Sequence, residues 1–172
     1  HPSSCKNAIG KNVQLLSGEK IYFEHFLSCI PVNLLVEMLR QSSDQMRDAV
    51  KQFKYSSSNI VGIGLKGQPH EELADKCWMY FPENNCPFYR VTLFSKYSPN
   101  NVPDINKQFS LMTETSESSA KPVSQKDLIE ETIDGLLNTK LIESREQVIS
   151  TWSYRANHGY PTPFLERDDC LK

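Results

Sequence analysis

Residues 124–138 can fold as little other than an amphipathic helix, and the runs on either side dictate what that helix must cover. Ser124-Gln-Lys-Asp127 has the form of a capping box, with the serine as N-cap and a carboxylate three residues on. Leu128, Ile129, Ile133, Leu136 and Leu137 then make one apolar stripe, and Asn138 and Lys140 mark its end. On both sides the period drops from 3.6 to 2. Phe88–Tyr97 and Gln108–Thr115 before the helix, and Glu146–Tyr154 after it, alternate as strands. One apolar helix stripe among alternating strands predicts an α+β (mixed α/β) fold, an antiparallel-rich sheet with covering helices.

Towards the N-terminus, Asn12–Leu16 and Ile21–Ile30 flank Ser17-Gly18-Glu19-Lys20, which reads as strand, tight turn, strand. From Pro31 the spacing of Leu34, Leu35, Met38 and Leu39 predicts a helix, and Ser43–Phe53 a second, with Met46, Val50 and Phe53 on one side. Gly62, Gly64 and Gly67 satisfy G-x-G-x-x-G literally. A dinucleotide site needs those glycines at a strand end opening a helix, whereas here they lie inside an alternating strand. Gly62 and Gly64 instead leave one strand face bare, which lets a neighbouring ring or backbone approach.

Five of the fifteen residues in Lys76–Arg90 are aromatic, against 10% of the whole chain. On a strand Trp78 and Tyr80 share one face, while Met79 and Phe81 take the other and can anchor the arm to a core. The arm is either a packed hairpin or a ligand wall, and Arg90 decides how it is read. Alternation puts Arg90 with Phe88 and Phe94, a costly place for a guanidinium unless an anion or a carboxylate pairs with it. Arginine's planar fork matches phosphate oxygens, and flat rings accept a base or a sugar. Near the C-terminus, His158-Gly-Tyr-Pro-Thr-Pro163 reads as a rigid turn that presets Tyr160.

Charge and cysteine usage exclude several classes. Nineteen basic residues against twenty-one acidic give a net charge of -2 with no dense Lys/Arg block, so nucleic acid is not an expected partner. No apolar run approaches the roughly 20 residues that span a bilayer, and residues 1–5 lack the features of a signal peptide. A cytoplasmic location without membrane contact is the expectation. Cys5, Cys29, Cys77, Cys86 and Cys170 show neither C-x-x-C pairs nor accompanying histidine spacing, so neither a metal site nor a disulfide framework is expected. Cys77 and Cys86 read as small buried residues. The four histidines are scattered, and no serine or cysteine nucleophile acquires a base from spacing.

Six blocks together resemble eukaryotic UDP-galactopyranose mutase, in that family's order over nearly the whole chain. They are Tyr55-Ser-Ser-Ser58, Asp75-Lys-Cys-Trp-Met-Tyr-Phe-Pro82, Asn85-Cys-Pro-Phe-Tyr-Arg90, Phe94-Ser-Lys-Tyr-Ser-Pro99, Thr115-Ser-Glu-Ser-Ser119 with Lys121-Pro-Val123, and His158-Gly-Tyr-Pro-Thr-Pro163. The resemblance implies a fragment of a larger FAD-containing fold. Residues 1–58 would be the C-terminal part of a flavin-binding domain, a hairpin plus helices. Residues 59–172 would be a substrate-binding sheet domain with one covering helix, truncated at Lys172.

The implied activity is an isomerase interconverting UDP-galactopyranose and UDP-galactofuranose through a flavin N5-sugar adduct, with reduced FAD as cofactor and the UDP-sugar as partner. Carried over by position, Arg90 and Tyr160 meet the diphosphate, Trp78 and Tyr80 wall the sugar and uridine, and Tyr97 lies in the same pocket. With flavin N5 as nucleophile, no residue of this chain is itself assigned as catalytic. The chain departs from the family by lacking its N-terminal flavin glycine motif, its second flavin segment and its helical domain. Its loop after Pro99 is shorter, and Phe109 stands where tryptophan is expected. Taken alone, the chain is therefore expected to be inactive. Another flavoenzyme of the amine-oxidase type and a non-catalytic nucleotide-sugar-binding module remain the alternatives. Arg90 speaks against the former, since an amine cage would not want an arginine in its wall.

Overall fold

The computed structural model describes residues 5–9 and 12–171. The chain divides into two compact units, His1–Lys54 with Pro161–Lys172, and Tyr55–Tyr160. The division expected at residue 58 thus falls after Lys54. Strand β4 (Lys54–Lys66) draws Ser57 and Ser58 into the larger sheet by pairing them with Glu117 and Ser116.

The first unit holds a three-stranded sheet in the order β1 (Cys5–Ile9), β2 (Asn12–Leu15), β3 (Lys20–Tyr22). The strand expected over Ile21–Ile30 ends at Tyr22. Its pairing runs out where Tyr22 meets Asn12, the first residue of β2, and an extended segment without a partner does not persist as a strand. Helix α1 (Val32–Met38) starts behind Pro31, and α2 (Asp44–Val50) is capped by the Ser43 hydroxyl, which accepts from Met46 N at 3.2 Å. Phe53, beyond α2, packs edge-on against Phe164 at 6.1 Å. A further short helix covers Arg167–Cys170. Among the described residues no helix is long and apolar enough to cross a membrane.

The second unit is a five-stranded sheet in the order β5 (Trp78–Tyr80), β6 (Arg90–Leu93), β7 (Gln108–Glu117), β4, β8 (Val148–Thr162). The pairings of β5 with β6, β6 with β7 and β7 with β4 are antiparallel, giving the mixed helix and antiparallel sheet that the residue pattern predicts. Val61, Ile63 and Leu65 of β4, Leu111 of β7, and Val91 and Leu93 of β6 share one face. With Leu128, Ile133 and Leu136 of helix α3 (Leu128–Asn138) they form the core. Met79 and Phe81 anchor the aromatic arm to that core, as their alternation requires.

The helix begins later than its sequence suggests. The Ser124 hydroxyl donates to the Asp127 carboxylate at 2.7 Å instead of capping a backbone N–H, because an ionised carboxylate is the stronger acceptor. Residues 125–127 form a turn in which Leu128 N donates to Ser124 O at 3.0 Å. Gly135, mid-helix, lets the arm dock closely. A Cβ there would lie 2.8 Å from Pro87 Cδ and 2.9 Å from both Cys86 Cβ and Phe88 Cε1. The helix ends through Lys140 at φ 58°, a left-handed residue whose N–H donates to Leu137 O at 3.0 Å. Lys140→Gly is expected to stabilise the protein by about 1 kcal/mol, read as a higher midpoint in urea unfolding, because glycine carries no steric penalty there. An unchanged or lower midpoint would show that the lysine side chain contributes more than its backbone costs.

Strand β8 differs most from the sequence reading. The expected rigid turn at His158–Pro163 is extended strand through Thr162. The strand lies last in the sheet order, and an edge strand tolerates the missing N–H of Pro161. A polar cross-brace fixes it. Arg155 Nε and Nη2 donate to the two Glu117 oxygens at 2.8 and 3.0 Å. Asn59 Nδ2 donates to the same carboxylate at 2.8 Å, and Asn59 Oδ1 accepts from Gln125 Nε2 at 2.7 Å. The hydrogen bond from Arg155, then that from Asn59, holds the Glu117 carboxyl below its ordinary range.

Candidate functional site

The face of the larger sheet opposite the core carries the polar and aromatic residues. Tyr80 lies opposite Arg90 and Arg90 opposite Glu114, while Trp78 lies opposite Thr92 and Thr92 opposite Met112. Directly opposed residues project from the same side, so β5, β6 and β7 present one continuous surface. Gly62 faces Met112 across β4 and β7. The bare strip it shares with Gly64 is occupied from β8, where Trp152 Cε3 comes within 3.8 Å of where the Gly62 Cβ would be. Trp152 in turn stacks on Tyr154 with ring centroids 6.0 Å apart. The glycines thus serve close packing, and no helix N-terminus follows them to meet a phosphate.

Arg90 does not sit among phenylalanines as its alternation suggested. The strand starts only at Arg90 and gives way to a tight helical turn at Phe94–Lys96, so the period reaches neither Phe88 nor Phe94. Phe88 turns into the core beside Val91 and Leu93, and Arg90 takes the opposite face. Its partner is a carboxylate. Arg90 Nε and Nη2 donate to Glu114 Oε1 at 2.8 and 2.5 Å, and the Tyr89 hydroxyl donates to Glu114 Oε2 at 2.7 Å. Burial alone would lower the Arg90 pKa, yet hydrogen bonds to Glu114 and Tyr80 and the carboxylate's charge raise it. Burial, reinforced by the bond to Glu114, pushes the Tyr89 hydroxyl up to about 12, so it stays a donor at neutral pH.

In front of this cluster lies a cavity of about 380 Å³ lined by Ser56, Ser58, Tyr80, Tyr89, Arg90, Ser116 and Tyr160. Three residues singled out in the sequence, Arg90, Tyr80 and Tyr160, meet here from β6, β5 and β8. Tyr160 is placed by its neighbour Gly159, whose missing side chain lets β8 approach Ser58 closely. A Cβ would fall 2.5 Å from Ser58 N. Trp78 shares the face but does not line the cavity. Tyr97 follows the turn at Phe94–Lys96, packs edge-on against Phe94 at 5.9 Å, and is not part of the lining either.

Glu114, Tyr89 and the serines escaped the sequence reading. The sequence required a carboxylate or anion to pair with Arg90 without naming Glu114, because the register linking the two passes through an irregular loop with no pattern of its own. Cys77, expected to be buried, is exposed, and Cys86 is half-buried with its thiol donating to Phe88 O at 3.4 Å. Burial pushes the Cys86 thiol up.

Chemically the cavity is a cluster of donors, one guanidinium and five hydroxyls from Ser56, Ser58, Tyr80, Ser116 and Tyr160, beside the Tyr89 hydroxyl, whose proton is committed to Glu114. Glu114 uses only the Nε and Nη2 side of the arginine fork. A guanidinium has a second edge, and Nη1 donates to neither Glu114 oxygen. No histidine or paired acid and base lines it, so it suits binding an anion rather than proton transfer. Among the described residues no cluster of side chains could hold a metal ion.

No protein-family model matches the chain. A reduced UDP-galactopyranose mutase of known crystal structure is 39% identical to it over 98% of this chain and 36% of that one, with a TM-score of 0.82. A protein from Pyrococcus furiosus matches at 14% identity over 91% of this chain and 36% of its own, with a TM-score of 0.59, a likeness of fold alone. This chain therefore spans little more than a third of the structures it matches. Along nearly its whole length, in fold and in sequence, it is similar to one portion of a UDP-galactopyranose mutase.

Proposed function

We propose that the chain is part of a eukaryotic-type, flavin-dependent UDP-galactopyranose mutase, and that the Arg90 cavity binds the diphosphate of UDP-galactopyranose and UDP-galactofuranose. The observation that carries this reading is the meeting of Arg90, Tyr80 and Tyr160, from three strands, on one cavity rich in hydroxyl donors. A diphosphate concentrates charge on oxygens that a guanidinium edge and tyrosine hydroxyls bind directly. Tyr80 and Trp78 offer flat faces beside it for the sugar and uridine.

The residues of this chain do not by themselves fit a flavin. The one glycine motif lies within and just after β4, and Trp152 and Ser150 occupy the space over Gly62 and Gly64. FAD, which supplies the nucleophile of the proposed isomerisation, would be held by other parts of the protein. The chain's own share is to bind the nucleotide and to keep the departing UDP within reach of the sugar.

Titration with UDP tests the assignment. Saturable binding to the intact protein, weakened about tenfold in Arg90→Ala, is expected from the loss of charge-assisted hydrogen bonds. UDP binding that ignores this substitution would dismiss the diphosphate assignment.

A further inference from the structure

We propose that Glu114 is a positioning residue for Arg90, holding the guanidinium from behind so that its remaining edge faces the cavity; this rests on the diphosphate reading above. Glu114 is buried and lies directly across from Arg90 in the register of β6 and β7. It does not line the cavity, whereas Arg90 and Tyr89 do. Both of its oxygens are engaged, Oε1 by Arg90 and Oε2 by the Tyr89 hydroxyl. The backbone holds the same unit, since Tyr89 N donates to Glu114 O at 2.9 Å. The pairing of β6 with β7 and the bonds from Tyr89 and Arg90 thus fix the carboxylate, and the carboxylate fixes the arginine.

The arrangement has opposing effects on an anion in the cavity. The negative charge of Glu114 opposes it, and the fixed orientation of Arg90 favours it by removing the rotamer freedom that binding would otherwise have to freeze. The two effects separate by substitution. Glu114→Gln keeps an oxygen for Nε and Nη2 and removes the charge. Glu114→Ala removes both the charge and the clamp.

UDP dissociation constants measured calorimetrically on the intact protein, with the fold of each variant checked by circular dichroism, give the test. Glu114→Ala is expected to weaken UDP binding about fivefold. Glu114→Gln is expected to bind UDP at least as tightly as the unaltered protein. In an Arg90→Ala background, Glu114→Ala is expected to weaken binding no further, because its effect runs through the arginine. Tighter binding in both Glu114 variants would make the residue a mere counter-charge, and unchanged affinity in folded Glu114→Ala would make it structural; either result overturns the proposal. If Glu114→Ala does not fold, Tyr89→Phe replaces it, removing only the hydroxyl on Oε2. A loss of affinity that disappears in Arg90→Ala supports positioning, and an equal loss in both backgrounds sinks it. Binding that is insensitive to Arg90→Ala itself removes the diphosphate reading and this proposal with it. Binding sensitive to Arg90 but not to Glu114 removes only the positioning role.

Discussion

Gly159→Ala is expected to cost about 3 kcal/mol of stability, lowering the melting temperature by roughly 6 to 12 °C. The added methyl would lie 2.5 Å from Ser58 N and 2.7 Å from Ser58 Cβ and Oγ. A flexible side-chain tip could move aside, but a backbone nitrogen in the middle of a paired strand cannot, so β8 itself must shift away from β4. Ser58→Ala should not rescue the variant, because both the nitrogen and the Cβ remain in place. Tyr160 follows directly in the chain and lines the cavity, so UDP affinity should fall together with stability. A melting temperature within 2 °C of the unaltered protein, on the scale of about 2 to 4 °C per kcal/mol, would mean that β8 is not seated against Ser58 as described.

Gly135→Ala is the second large effect, and its sign runs against helix propensity. In an exposed helix interior, replacing glycine by alanine stabilises by about 1 kcal/mol. Here the methyl meets Pro87, Cys86 and Phe88 at 2.8 to 2.9 Å. These are rigid or buried neighbours, and Phe88 is 1% exposed within the core. Overpacking of this kind costs up to about 3 kcal/mol, leaving a net loss of about 2 kcal/mol in denaturant unfolding. The strained segment leads straight into Tyr89 and Arg90, so the guanidinium should shift as well. A variant that is more stable than the parent would show that the arm does not press on the helix.

Sheet-plus-helix architecture is legible in the chain because the two periods differ plainly. The stripe of Leu128, Ile133 and Leu136 cannot be read as a strand, and the alternation of β4 and β7 cannot be read as a helix. Element ends were less legible, for local reasons. Ser124 has the form of a helix cap, yet its proton goes to Asp127, and no propensity rule weighs one side chain against another. His158–Pro163 carries every turn former, but its place at the sheet edge lets it remain extended. Arg90 was legible as a residue needing a partner, while the partner was not. Whether that partner is Glu114 depends on how the 94–107 loop sets the register of β7, which is a tertiary outcome. Tyr80 and Tyr160 met Arg90 for a similar reason, since one is a hairpin neighbour and the other arrives through the docking of a distant strand.

That distant docking has a kinetic meaning. The β5–β6 pairing joins residues close in sequence, whereas the Ser57 hydroxyl donates to a carbonyl, Asn157 O, 100 residues further along. Contacts of such separation form late, after the loop between them has been closed. During synthesis at about 5 to 20 residues per second, β4 waits roughly 5 to 20 s for β8 to emerge. Through that interval the hairpin carrying Tyr80 and Arg90 can already stand, while β4 keeps one edge unpaired and open to any passing strand. The Arg155–Glu117 brace and the Tyr160 wall arrive together with the last strand, so assembling the cavity and protecting that edge are a single event.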